Sequence, residues 1–242
     1  MLLFYVIRLC QNGIMATRMM KIIGLVFIFL ISTCAHAGII IGGTRLVYLS
    51  NKSDVTVSVY NKEDKIPYLV QAWVDPFNKN DKSKAPFAVI PPVSRLEPLQ
   101  EKVLRIIKTK GILPEDRESV FWLNVKNIPP ANKNKDVNAL EIAIKTRIKL
   151  FWRPASIKTI PESGAVNVKW HRKANNLIVE NTNAIHINIM EVNVDGKDVP
   201  LNMIRPFETL TLPLPAQTSG KNMYWRFIND YGAVSEQIKV TL

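Results

Sequence analysis

The chain has 242 residues but only two cysteines, three histidines and ten glycines, and each scarcity excludes something. Both cysteines, Cys10 and Cys34, fall in the first 37 residues, so no disulfide can staple the rest. The two later histidines, His171 and His186, stand fifteen residues apart and fit no metal-ligand spacing. The densest glycine stretch, GIIIGG at 38–43, lacks the spacing of a phosphate loop and leads into no helical pattern. No nucleophile elbow is present. These absences argue against an enzyme and against any metal or organic cofactor.

Only one long apolar run occurs, and it is near the start. Arg18 and Lys21 precede the run 22–31, and Ala35-His36-Ala37 follows. A basic start, a short apolar stretch and an A-x-A site make a secretory signal peptide cleaved after Ala37. The run is short for a membrane span, which needs about 20 apolar residues. Met15, Met19 and Met20 are alternative starts. Cleavage removes Arg8, Arg18 and Lys21 and no acid, lowering the net charge from +12 to +9. A basic surface suits nucleic acid, anionic membrane or an acidic partner. Export argues against nucleic acid, and nothing predicts membrane insertion of the mature chain.

What remains, 38–242, reads as strands. Alternating or β-branched runs at 45–49, 55–60, 68–74, 103–107, 120–125 and 140–152 are separated by turn material such as NKSD and DPFNKNDKS. About seven short strands in a hundred residues imply an immunoglobulin-like β-sandwich. The pattern breaks at ASIKTIPESG (155–164), read as a linker. Strands then resume at 165–170, 177–180, 185–194, 208–212, 223–228 and 238–242. The expected fold is all-β: two immunoglobulin-like domains, 38–157 and 158–242, with a cleft between them.

One segment poses a question of its own. In LEIAIKTRIKLFWRP (140–154), Leu140, Ile142 and Ile144 alternate with Glu141, Ala143 and Lys145, giving a strand with one apolar face. That face either lines the protein's own core or is kept for a partner. Asp116, Glu118 and Asp230 are paired acids or, more simply, ion-pair partners of Arg105, Arg117 or Arg153.

Six stretches in order resolve the choice. TRLVY (44–48), PYLVQAWVD (67–75), PPVSRLEP (91–98), LPEDRESVFWLNVKNIPP (113–130), IAIKTRIKLFWRP (142–154) and INDYG (228–232) resemble the periplasmic chaperones of the chaperone–usher pilus pathway. The resemblance implies a role in fimbrium biogenesis and cell wall organisation. Its partners would be pilus subunits and an outer-membrane usher. The chaperone would lend Leu140, Ile142 and Ile144 to complete a subunit that lacks a strand. Arg45 and Lys149 would grip the subunit's C-terminal carboxylate. Arg105, Glu118 and Asp230 would form an ion-pair set between the domains. Strict alternation, however, puts Lys149 on the face opposite Ile144. A bulge, or a strand running from the interface into its own domain, reconciles the two.

Two alternatives belong to other classes. A pilus subunit or adhesin would carry an N-terminal donor extension, whereas GIIIGG runs straight into the first strand. A binding module for surface ligands would cluster aromatics in loops, whereas Trp73, Trp122, Trp152 and Trp225 lie in strand patterns.

Overall fold

A computed structural model describes residues 38–131, 142–218 and 220–242. The expected signal segment with its cleavage site, and Leu140, lie outside the described residues. Two β domains make up the described chain, each with its own apolar core.

The first domain contains β1 (Ile39–Ile41), β2 (Arg45–Leu49), β3 (Asp54–Asn61), β4 (Tyr68–Pro76), β5 (Phe87–Ile90), β6 (Val93–Leu96), β7 (Glu101–Lys108), β8 (Ser119–Ile128) and β9 (Ile144–Arg153). They form two facing sheets, β1-β3-β7-β5 and β2-β9-β8-β4-β6. The alternation seen in the sequence closes the core. Val57, Val59, Leu104 and Ile106 of one sheet and Val70, Leu123, Ile148 and Leu150 of the other are all buried. Tyr48 sits at the seam, its ring edge-on to Trp152 at 5.1 Å and its hydroxyl donating to Ser53 O at 2.7 Å. β1, β5 and β6 escape sequence reading because each has at most four residues, too few to establish a period.

The chain's start changes sheets. β1 pairs antiparallel with β3, and β2 pairs parallel with β9. Gly42 makes the crossing: its N–H donates to Ser58 O at 2.8 Å, and a Cβ there would lie 3.3 Å from that oxygen.

In the second domain the segment read as a linker ends in a short helix, α1 (Pro161–Ala165), so Ala165 is helical rather than the start of a strand. Pro161 sits at the helix's first turn, where its missing N–H costs nothing. Then follow β10 (Val168–Lys173), β11 (Asn176–Asn181), β12 (Ile187–Val194), β13 (Lys197–Asp198), β14 (Met203–Ile204), β15 (Thr209–Pro213), β16 (Asn222–Ile228) and β17 (Ile238–Thr241). One sheet runs β10-β11-β15; the other runs β13-β12-β16-β17, with β14 also on β12. Trp225 is fully buried between Trp170 and Phe227.

Both domains use one local device. Asn61 ends β3 and Asn181 ends β11, and each is fully buried. Asn61 Nδ2 donates to Ile66 O and Glu97 O, and its Oδ1 accepts from Glu63 N. Asn181 does the same with Ile185 O, Arg205 O and Asn183 N. Each side chain satisfies backbone groups where a strand stops and the ladder cannot.

Candidate functional site

The parallel pairing of β2 with β9 runs from Arg45↔Lys149 to Leu49↔Arg153 in unbroken register. Partners in such a pair share a face, so Arg45 and Lys149 stand side by side. On that face follow Phe151 and Arg153, both buried against the second domain. The other face carries Ile148, Leu150 and Trp152 into the first domain's core.

Both cations reach the second domain. Lys149 Nζ donates to Asn188 Oδ1 at 2.6 Å, and Arg45 Nη1 donates to Ile228 O at 3.3 Å. The Arg45 Nε is buried with no hydrogen-bond partner among the described residues. Burial, with the neighbouring Arg45 charge, lowers Lys149 from 10.5 to about 8. Burial also lowers Arg45, which Asp230 partly offsets. Arg45 lines a cavity of about 580 Å³ together with Leu46, Leu49, Ile160, Asp230 and Tyr231; Lys149 is not part of that lining.

β9 is one continuous strand. Its pairing with β8 holds a single register from Ile144↔Asn127 to Trp152↔Ser119, with no bulge. The tension over Lys149 therefore resolves without a bulge, by a strand that runs from an open edge into its own domain. Ile144 shares a face with Ile148 and Leu150, but those two are in the core whereas Ile144 is 56% exposed. Ile142, just before the strand, is 62% exposed. β2 covers only residues 149–153 of β9, so among the described residues 144–148 have no strand on that edge. The strand starts as an apolar, open edge and ends as a core strand.

The ion-pair set between the domains differs from expectation in one member. Arg105 pairs with Asp54 at 2.8 Å on the exposed face of the other sheet. The cation that joins Glu118 and Asp230 is Arg153. Its Nε donates to Glu118 Oε1 at 2.6 Å, and Nη1 and Nη2 grip Asp230 at 2.7 and 2.9 Å. Arg153 lies four residues beyond Lys149, on the same face of β9 and hence toward the second domain. Arg105 lies on β7, in the other sheet, where its partner is Asp54 of β3. His186 completes the set: its N–H donates to Glu118 Oε2, and Nδ1 lies 2.9 Å from the same oxygen. Burial alone raises the Glu118 carboxyl, but hydrogen bonding from His186 and the Arg153 charge outweigh it and hold the group below its ordinary value. Asp116 pairs with Arg117 on the surface.

INDYG is the second domain's docking loop. Ile228 O accepts from Arg45, Asn229 Oδ1 accepts from Tyr231 N and Ala233 N, and Asp230 holds Arg153. Gly232 has φ +88°, and a Cβ there would lie 2.6 Å from Thr44 Oγ1 of the first domain. Glycine is demanded by both the backbone and the contact.

Sequence reading offered Arg153 as one possible ion-pair partner of these acids but gave the place between the domains to Arg105, and it missed His186 and Asn188 as site neighbours. For Arg153 the signal was present, since it keeps parity with Lys149. Nothing local marks His186 or Asn188.

The molecule is thus a two-domain β protein with paired cations at the domain junction and an open apolar strand beside them. Residues 38–158 match the family described as pili and flagellar-assembly chaperone, PapD N-terminal domain, and residues 164–239 match pili assembly chaperone PapD, C-terminal domain. The chain belongs to the PapD pili assembly chaperone family. It is 34% identical over 224 residues to the chaperone protein FocC of Escherichia coli, covering 92% of this chain and 98% of that one. Among solved structures it is similar to a chain of the Salmonella enterica SafA pilin–SafB chaperone complex. There the TM-score is 0.76 at 35% identity, covering 87% of this chain and 99% of that one. It is also similar to the E. coli chaperone DraB, with a TM-score of 0.73 at 38% identity, covering 85% and 96%.

Proposed function

We propose that this chain is a periplasmic chaperone that binds pilus subunits, completes their fold with its own β9 and passes them to an outer-membrane usher. The observation that carries this reading is that β9 holds both an open apolar end and Lys149, which Arg45 joins from the neighbouring β2 to make a paired-cation site. A subunit missing a strand exposes an apolar groove and unpaired backbone groups. The exposed edge of β9 offers the hydrogen bonds, and Leu140, Ile142 and Ile144 offer the side chains. Each fully buried side chain contributes about 1.5–3 kcal/mol before ordering costs.

A strand of period two can slip by two residues, so the register needs an anchor. Arg45 and Lys149 supply it by holding the subunit's terminal carboxylate. Each charge-assisted bond is worth roughly 1.5–3 kcal/mol. Glu118, Arg153 and Asp230 fix the angle between the domains, 38–157 and 158–242, and so the shape of the cleft. They are structural groups; the chain performs no catalysis. Export follows from the signal pattern, with cleavage after Ala37. No helix among the described residues is long and apolar enough to cross a membrane.

The test is co-purification with a pilus subunit from the periplasm for the parent, Arg45→Ala, Lys149→Ala and Ile142→Asp. The parent should bring down a one-to-one complex that all three variants lose. Equal recovery from all four would refute the assignment of the site.

A further inference from the structure

The outer face of the sheet β2-β9-β8-β4-β6 carries a row of cations that the carboxylate site does not use. Lys145 Nζ stands 5.9 Å from the centre of the Trp73 ring, and the Arg147 guanidinium 4.9 Å from that of Trp122. Trp122 is itself stacked on Phe77 at 5.0 Å. Lys126 is the register partner of Lys145 and deepens the positive field. The carboxylate beside the two tryptophans is Asp75. Its Oδ2 already accepts from Trp73 Nε1 at 3.0 Å and Asn124 Nδ2 at 3.1 Å. No carboxylate among the described residues pairs with Lys126, Lys145 or Arg147.

Position decides what this row can meet. Lys145 and Arg147 lie in the stretch of β9 whose far edge is open, and they point to the face opposite Ile144. Any strand that adds to that edge sets its side chains directly opposite them, about 4.5–5.5 Å away between Cβ atoms. Lys145, Arg147 and Lys149 repeat every two residues, about 6.8 Å, which is the spacing of one face of an extended chain. Opposite charges across such a pair attract and like charges repel. The rings hold the two cations in place while leaving N–H groups free to donate, so little ordering is left for the docking step.

We propose that Lys145 and Arg147 read the charge of the incoming subunit. They favour an edge strand whose solvent face carries Asp or Glu at alternate positions, and they oppose a basic one. This rests on the reading that β9 is the lent strand. There the apolar face of β9 decides that a subunit is bound, and the basic face helps decide which one and how fast.

The experiment measures the association rate of purified chaperone with the subunit recovered in the co-purification above, unfolded in urea and diluted into buffer, from about 0.02 to about 0.5 M NaCl. For the parent the rate should fall as salt rises. Lys145→Glu with Arg147→Glu should bind about tenfold more slowly at low salt and converge with the parent at high salt. The Gln double variant should fall between, and Arg147→Lys should keep the parent's salt slope. Circular dichroism and thermal unfolding of the free variants check that each is folded. If the parent captures subunit and the Glu variant matches its rate and salt slope, the inference fails while the lent strand stands. If the parent captures none, both fail. If phosphatidylglycerol vesicles bind the parent but not the Glu variant while capture rates coincide, the face serves a membrane surface and the inference is overturned.

Discussion

Arg45 and Lys149 are register partners in the parallel pairing of β2 with β9, two cations on one face with no ion-pair partner among the described residues. Proteins rarely keep such a pair half-buried without an anion to receive. Lys149 is lowered to about 8 by burial and by Arg45, so an arriving carboxylate meets a proton that is easily lost. The carboxylate favours the charged form, so the lysine's value rises in the complex and binding takes up a proton above about pH 8. Affinity for a subunit should therefore be flat below about pH 8 and fall as pH rises beyond it. Titration of the complex between pH 6 and 10 measures this, and Lys149→Arg should flatten the profile.

The same site should cost the free protein stability. The folded value of Lys149, about 8, lies below the 10.5 of an unperturbed lysine, so the unfolded chain binds the proton more tightly. The cost is complete below about pH 8 and fades as pH rises toward 10.5. Lys149→Met, which keeps the stem and removes the charge, should stabilise the free protein by about 0.5–2 kcal/mol at neutral pH. In urea unfolding the gain should shrink at alkaline pH. The variant should lose subunit binding.

Arg153 and Arg105 make a contrast that unfolding can measure. Arg153 is buried between Glu118 and Asp230, and its loss leaves the Glu118 carboxylate buried with only His186. Arg153→Ala should cost about 3–5 kcal/mol and loosen the junction of the two domains. Arg105 pairs with Asp54 in the open, and Arg105→Ala should leave the unfolding midpoint where it is. Equal losses from the two variants would contradict the geometry.

The architecture was legible because most of its strands are long and regular. β2 lies where its apolar alternation puts it, and β3, β4, β7 and β8 extend the expected runs by only a few residues at their ends. The switch of sheet between β1 and β2 was not legible, since it depends on a close approach of Gly42 to Ser58 that no local pattern encodes. At the site, parity along β9 could be counted, and it puts Lys149 and Arg153 together. Arg105 was misassigned because a single strand arginine looks alike on either sheet; only the topology tells which sheet faces the second domain. His186 joins Glu118 from 68 residues away, beyond the reach of any spacing rule.

β9 offers a final test, because one face of one strand changes role along its length. Ile148 is 6% exposed in the first domain's core, whereas Ile144 is 56% exposed on the same face four residues earlier. Ile148→Ala removes packed methylenes and should cost about 2–5 kcal/mol of stability. Ile144→Asp places a charge where there is solvent and should leave stability within about 0.5 kcal/mol of the parent. For subunit capture the order reverses. Ile144→Asp would bury a carboxylate in the subunit's groove and should abolish the complex, whereas Ile148→Ala, while folded, should still form it. Thermal unfolding and co-purification on the two variants separate the core part of the strand from the lent part. A stability loss at Ile144 as large as that at Ile148 would mean that the open end of β9 belongs to the protein's own core.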